Sequence, residues 1–264
     1  MTKRKSKESY LHFTKEEIRN RNKDIILSIT GERVKFTAKN DSQKELISSI
    51  NKNEITICSG LAGSGKSFIA LAAALNLLTD RDNFYQKIFL VKSVTTLKNE
   101  ELGFLRGDLD DKLTPFMSSF NLNLNKIVSE DIINEMISKK IINYMPLAYI
   151  RGITIDNAIV IVDESQNITI ENSKSFLTRI GENCKIICLG DENQIDLKNY
   201  DDSSLSVIMN ILKDIDGVGV VKMNDKDSNI RNPIIPKIEE KFKKYYIEKE
   251  IDKAKQNKNG TRRG

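Results

Sequence analysis

Ile55-Thr56-Ile57-Cys58-Ser59-Gly60-Leu61-Ala62-Gly63-Ser64-Gly65-Lys66-Ser67-Phe68 passes from a β-branched apolar run into a glycine-rich turn and then into an Ala/Leu-rich segment, Phe68 to Leu78. Residues 60–67 satisfy G-x-x-x-x-G-K-[ST], and a strand before with a helix after is the context that pattern requires. Glycines let the backbone turn left-handed, so successive N–H groups converge on phosphate oxygens at the positive end of the helix. In that frame Gly60, Leu61, Ala62, Gly63, Ser64 and Gly65 form the cradle. Lys66 reaches the outer phosphates, and the Ser67 hydroxyl joins the shell of a bound Mg²⁺.

Working outward, short apolar runs alternate with helical segments: Ile55 to Cys58, Lys87 to Val91, Ala158 to Val162, Lys185 to Leu189 and Val218 to Val221. That alternation predicts an α/β fold, a mainly parallel sheet flanked by helices. Three runs end in polar or glycine residues, at Ser59-Gly60, Asp163-Glu164 and Gly190-Asp191, and in an open parallel sheet such endings face one crevice. Asp163 is expected in the metal shell and Glu164 as the base that polarises an attacking water. A positioned water base favours hydrolysis over transfer to an acceptor, which weighs against a small-molecule kinase. Gln194, beyond the third run, is a candidate sensor of the terminal phosphate. Gln43, on a helix starting around Asn40 to Ser42, is a candidate reader of the adenine edge.

The rest of the chain bounds the function. With 39% hydrophobic and 30% charged positions over 264 residues, a sizeable core is available and disorder throughout is excluded. The longest apolar run, Phe68 to Leu75, is too short to span a bilayer, and no apolar stretch follows the basic N-terminus. A cytoplasmic protein without membrane contact is expected. Three cysteines give no paired framework, and Cys184 and Cys188 on one strand are too far apart to share a metal. The single histidine, His12, leaves little material for histidine-built nucleophilic or zinc chemistry.

Residues 1–24 carry eight Lys/Arg against four Asp/Glu and residues 241–264 nine against three, so within a total of +5 the middle is acidic. The expected organisation is a basic leader over 1–24, a domain over 25–249 and a basic, disordered tail over 250–264. Ile25 to Ile29 and Val34 to Phe36, flanking Thr30-Gly31, predict a small N-terminal β-hairpin. Asn121 to Ile142 predicts an inserted pair of helices.

At this point the residues resemble the superfamily one helicase core and, within it, the PhoH family of P-loop ATPases. Beyond the nucleotide motifs, Leu102-Gly103-Phe104-Leu105-Arg106-Gly107-Asp108, Pro146 to Gly152, Asp163-Glu164-Ser165-Gln166-Asn167, Phe176 to Gly181 and Gly190-Asp191 with Gln194 are similar to family signatures, over about Gln43 to Phe242. The resemblance implies a RecA-like fold, hydrolysis of ATP with Mg²⁺, hexameric homo-oligomeric rings and action on RNA or single-stranded nucleic acid. Where the family usually has Thr-Arg-Pro after the second strand, this chain has Val91-Lys92-Ser93. Family members fused to a PIN nuclease carry a domain absent from these residues, so nuclease activity is not expected. Ring ATPases complete their sites with a cation, for which Arg151, Arg179 and Arg231 are candidates, Arg179 and Arg231 foremost. Lys92, Ser93 and Thr95 occupy the loop that resembles the strand-contacting segment of helicases. With 6% aromatics and no tryptophan, affinity for nucleic acid would be mainly electrostatic. Two functions remain open: a motor that translocates on or remodels nucleic acid, and a nucleotide-gated ring that recruits or assembles a partner without unwinding.

Overall fold

The computed structural model describes residues 15–31, 34–93, 109–150, 152–197, 199, 202–223 and scattered positions from 234 to 249. Six strands form one sheet: β1 (Ile55–Gly60), β2 (Lys87–Lys92), β3 (Ile142–Pro146), β4 (Ala158–Asp163), β5 (Cys184–Gly190) and β6 (Val218–Met223), ordered β3-β2-β4-β5-β1-β6. Every pairing is parallel. The seven named helices are α1 (Lys15–Thr30), α2 (Asp41–Lys52), α3 (Lys66–Thr79), α4 (Leu109–Leu124), α5 (Glu130–Ser138), α6 (Ile170–Leu177) and α7 (Leu205–Leu212). This is a RecA-like α/β fold.

Continuous apolar runs are needed because both faces of the sheet are covered. Along β4, Ile159 and Ile161 enter a core shared with α1 to α5, while Ala158, Val160 and Val162 enter a second core under α6 and α7. β5 divides the same way, Ile187 and Leu189 against Ile186 and Cys188. Each of these buried valine, leucine and isoleucine side chains contributes about 1.5–3 kcal/mol. α3 lies at the centre of the first core, and its alanines at 70, 72, 73 and 74 are all buried. The three cysteines are free and buried, as core residues.

The expected hairpin is not present. Residues 15–30 are one helix, α1, which crosses the boundary expected between leader and domain. Ile26 and Ile29 face the core three residues apart, and buried Lys23 donates to the Leu78 carbonyl at 2.6 Å, where α3 ends. Gly31, at φ 68°, is the left-handed helix stop, its N–H bonded to Leu27 O. A glycine after an apolar run serves as hairpin turn or helix stop equally well, and the tertiary contacts of Lys23 and Ile26 decide here. Val34 lies in no strand; its backbone N–H and carbonyl pair with the Asn76 amide of α3.

Of the pair of helices expected over 121–142, α5 lies within those bounds, whereas α4 runs from Leu109 to Leu124 and shares only its last turn with them. The strand after α5, β3, was not expected from its sequence. It lies at the sheet edge, only Ile142 of its five residues is fully buried, and Pro146 ends its ladder. Among the described residues no helix is long and apolar enough to cross a membrane.

Candidate nucleotide site

The order β4-β5-β1 sets three strand tips side by side, with Ser59 in register with Gly190. Above them opens a cavity of about 540 Å³, lined by Ala62, Lys66, Ser67, Asp163, Glu164, Gln194 and others. Gly63 and Gly65 hold φ of 82° and 88°, and Gly65 stands at the amino end of α3. A Cβ on Gly60 would lie 2.7 Å from Met223 Cβ, so β6 packs against the loop only because residue 60 is glycine. The Lys66 ammonium donates to the carbonyls of Gly60 at 2.6 Å and Leu61 at 3.0 Å, folding over the loop it belongs to.

The Ser67 hydroxyl donates to the Asp163 carboxylate at 3.2 Å, although the residues are 96 positions apart. Burial pushes the Asp163 carboxyl above the usual range, with Glu164 adding to the rise; Lys92, the Glu164 N–H and Lys66 pull the other way. A buried carboxylate with nearby cations suits a site where a metal ion supplies the missing charge. Among the described residues no cluster of three or more His, Cys, Asp and Glu could hold a metal. Ser67 and Asp163 are the residues that would hold a cation here, and their oxygen donors fit the all-oxygen habit of Mg²⁺.

Glu164 follows at φ 56°, a left-handed conformation that glycine and asparagine adopt readily and glutamate does not. Its strain turns the chain into a short 3₁₀ segment, Ser165–Asn167, and sets the carboxylate at the cavity wall. Gln194 lies at the same wall; its amide donates to Asp191 at 3.1 Å, within a turn built on Asp191.

Other expected residues are placed differently. Gln43 lines the cavity, but its amide is engaged: it accepts from the Lys39 N–H at 2.8 Å and donates to Ser64 O at 2.9 Å. At 2% exposure it braces the phosphate loop from α2. Arg179 is not brought to the cavity. It follows α6 at the opposite end of the sheet, where its carbonyl accepts from Ile155 just before β4, and its buried Nε has no partner. Lys92 is in register with Asp163 and donates to Ser119 of α4, while Ser93 donates to Asn167 O at 2.7 Å. Thr95, Arg151 and Arg231 lie outside the described residues, as do Leu102 to Asp108.

Three contributions escaped the sequence. Ser119, Asn123 and Lys126, from the α4 end, form part of the cavity wall. So do Thr37 and Lys39 before α2. Gln166, which stands in the family-like stretch Asp163 to Asn167 without a role assigned to it there, is fully buried between Glu164 and the β5 tip.

The profile described as "PhoH-like protein" matches residues 35–243. The chain belongs to the PhoH family. Similar to this PhoH-family chain are the PhoH-like proteins of Synechocystis, 38% identical over 78% of this chain and 62% of that protein, and of Bacillus subtilis, 36% identical over 76% and 62%. Protein PhoH of Escherichia coli K12 is 33% identical over 72% of this chain and 53% of its own length. The chain thus spans less than two thirds of the curated relatives it matches. Among solved structures, the HK97 bacteriophage large terminase aligns at TM-score 0.42 and 11% identity, covering 80% of this chain and 46% of that one.

Proposed function

We propose that this PhoH-family chain is a Mg²⁺-dependent ATPase that couples hydrolysis to translocation on, or remodelling of, RNA or single-stranded nucleic acid. One observation carries the ATPase reading: the Ser67 hydroxyl and the buried Asp163 carboxylate meet at 3.2 Å beside the phosphate loop, with Glu164 on the wall of the same cavity. Loop N–H groups and the Lys66 ammonium bind the phosphates, exchanging the Gly60 and Leu61 carbonyls for the stronger phosphate acceptors. Ser67 and Asp163 would hold Mg²⁺, which would supply charge to neutralise that developing on the transferred phosphoryl group. Glu164 polarises the attacking water, and Gln194 senses the terminal phosphate.

The nucleic-acid part rests on Lys92 and Ser93 at the β2 tip and on Thr95 beyond it. A homo-oligomeric ring, with Arg179 or Arg231 acting on a neighbouring subunit, fits the distance of Arg179 from its own chain's cavity. The second reading, a nucleotide-gated ring that recruits a partner, is favoured by the engagement of Lys92 with Ser119 and Asp163, which leaves it less available to a strand.

Phosphate release at low salt, with and without RNA and single-stranded DNA, separates the two. The motor reading expects nucleic acid to stimulate turnover. Unchanged turnover together with ATP-dependent oligomerisation would support the recruiting ring. Glu164→Gln is expected to bind ATP and hydrolyse it about 10²–10⁴-fold more slowly; full turnover by that variant would remove Glu164 from its role.

A further inference from the structure

Gln166 makes three hydrogen bonds with one side-chain amide at no exposure to solvent. Its Nε2 donates to Glu164 Oε2 at 2.6 Å and to Gln194 O at 3.0 Å, and its Oε1 accepts the Asp191 N–H at 3.0 Å. Both amide hydrogens are used, so the group has a single orientation. The Ser203 hydroxyl donates to Gln166 O at 2.8 Å and fixes its backbone. The β5 tip is shaped to admit it: a Cβ on Gly190 would stand 2.7 Å from Gln166 Oε1 and 3.1 Å from its N. The next residue extends the connection, since Asn167 binds Asp196 through its side chain and Ser93 through its carbonyl.

We propose that Gln166 is a positioning residue, whose buried amide holds the Glu164 carboxylate and ties it to the Asp191–Gln194 turn, so that the water-polarising group and the phosphate-sensing loop move as one unit. This rests on the ATPase reading above. Glu164 has a flexible side chain on a strained backbone, and a carboxylate free to rotate would spend little time aimed at the attacking water. The charge-dipole bond from Gln166 restricts it. Because the same amide grips the β5 tip at two points, a shift of Gln194 on meeting the terminal phosphate displaces Glu164 with it.

Two variants test this against a merely structural role. Gln166→Glu keeps volume and an acceptor for the Asp191 N–H but loses the donor facing Glu164. Gln166→Met keeps length and loses both polar functions. MgATP turnover, KM, MgADP affinity and thermal midpoint are measured for each, and again with Glu164→Gln in the background. The expected result is a 10–100-fold fall in kcat, the scale set by misplacing a catalytic group by about 1 Å. KM and MgADP affinity should stay within about threefold, and adding either variant to Glu164→Gln should cost less than about twofold more, since coupled residues are not additive. Unchanged kcat in both variants beside an active wild type would overturn the positioning role alone. So would a full further loss in the Glu164→Gln background, or a parallel loss of MgADP affinity and thermal midpoint. A wild type that releases no phosphate would overturn both the ATPase reading and this inference.

Discussion

The two ends of β4 and β5 handle the same backbone problem in opposite ways. At their amino ends the left-handed positions fall on Asn157, φ 50°, and Asn183, φ 52°. Asparagine tolerates that region, and the two side chains bond to each other at 3.0 Å while the Asn183 carbonyl takes the Ala158 N–H. At the carboxyl ends the left-handed residue is Glu164, which lines the cavity and whose backbone is strained. The buried charges differ likewise. Lys185, 3% exposed near the amino end, touches the Asn53 carbonyl, whereas Asp163 at the other end bonds Ser67 and faces the cavity. One end is built to close the sheet; the other keeps unfavourable features that a bound phosphate and cation would relieve.

Lys66→Ala should break the contrast most, lowering MgATP turnover by about 10²–10³-fold, the cost of removing one preorganised cationic donor. Its thermal midpoint should barely move, because the ammonium bonds only within its own loop, to the Gly60 and Leu61 carbonyls and, at 3.5 Å, the Ser64 hydroxyl. Parallel nucleotide titration and melting curves check both.

Lys185 gives the next effect, on stability alone. Burial pulls its pKa down from 10.5 to about 8, so between those values the unfolded chain binds more protons and stability rises with pH. Lys185→Met should abolish that rise, on the order of 2–3 kcal/mol, and leave turnover intact. Burial pushes Cys58 and Cys188 up to about 12 and Cys184 to about 11, which lowers stability at high pH, so the informative quantity is wild type minus variant in denaturant titrations from pH 7 to 10.5.

Asp163→Asn should reduce Mg²⁺-dependent nucleotide binding and yet raise the melting temperature at neutral pH by about 2–4 °C, roughly one kcal/mol at this size. Asp163 is raised, so its folded form is favoured by protonation and loses stability as pH rises through its folded value. The gain from the variant should shrink as pH falls and the wild-type carboxyl takes up its proton. A melting temperature lower than wild type at pH 7 would contradict this. Smallest of all, Asn183→Gly should change stability by less than about 1 kcal/mol, since glycine accepts the same φ and only one side-chain bond is lost. Turnover should not change.

What could be read locally was read where neighbours in sequence carry the chemistry. Gly60 to Ser67 shape their own turn, and Asp163-Glu164 end their own strand. The helix α1 could not be read that way, because Ile25 to Ile29 suits strand or helix until Lys23 and Ile26 find α3. Nor could β3, a five-residue edge strand, Ile142-Asn143-Tyr144-Met145-Pro146, whose residues after Ile142 are only partly buried. The sequence marks Gln43 as a candidate for the site, but the acceptor of its amide N–H, Ser64 O, is 21 residues away.

The sequence by itself determined that a phosphate-binding turn joins a buried strand to a helix, because glycine placement and apolar runs act over a few residues. Only the tertiary structure decided that Ser67 meets Asp163, that Gln166 links Glu164 to the β5 tip, that α4 walls the cavity and that Arg179 stands at the far end. Those facts depend on strand order and on which helix packs on which face, and these are set by burial summed over the whole chain.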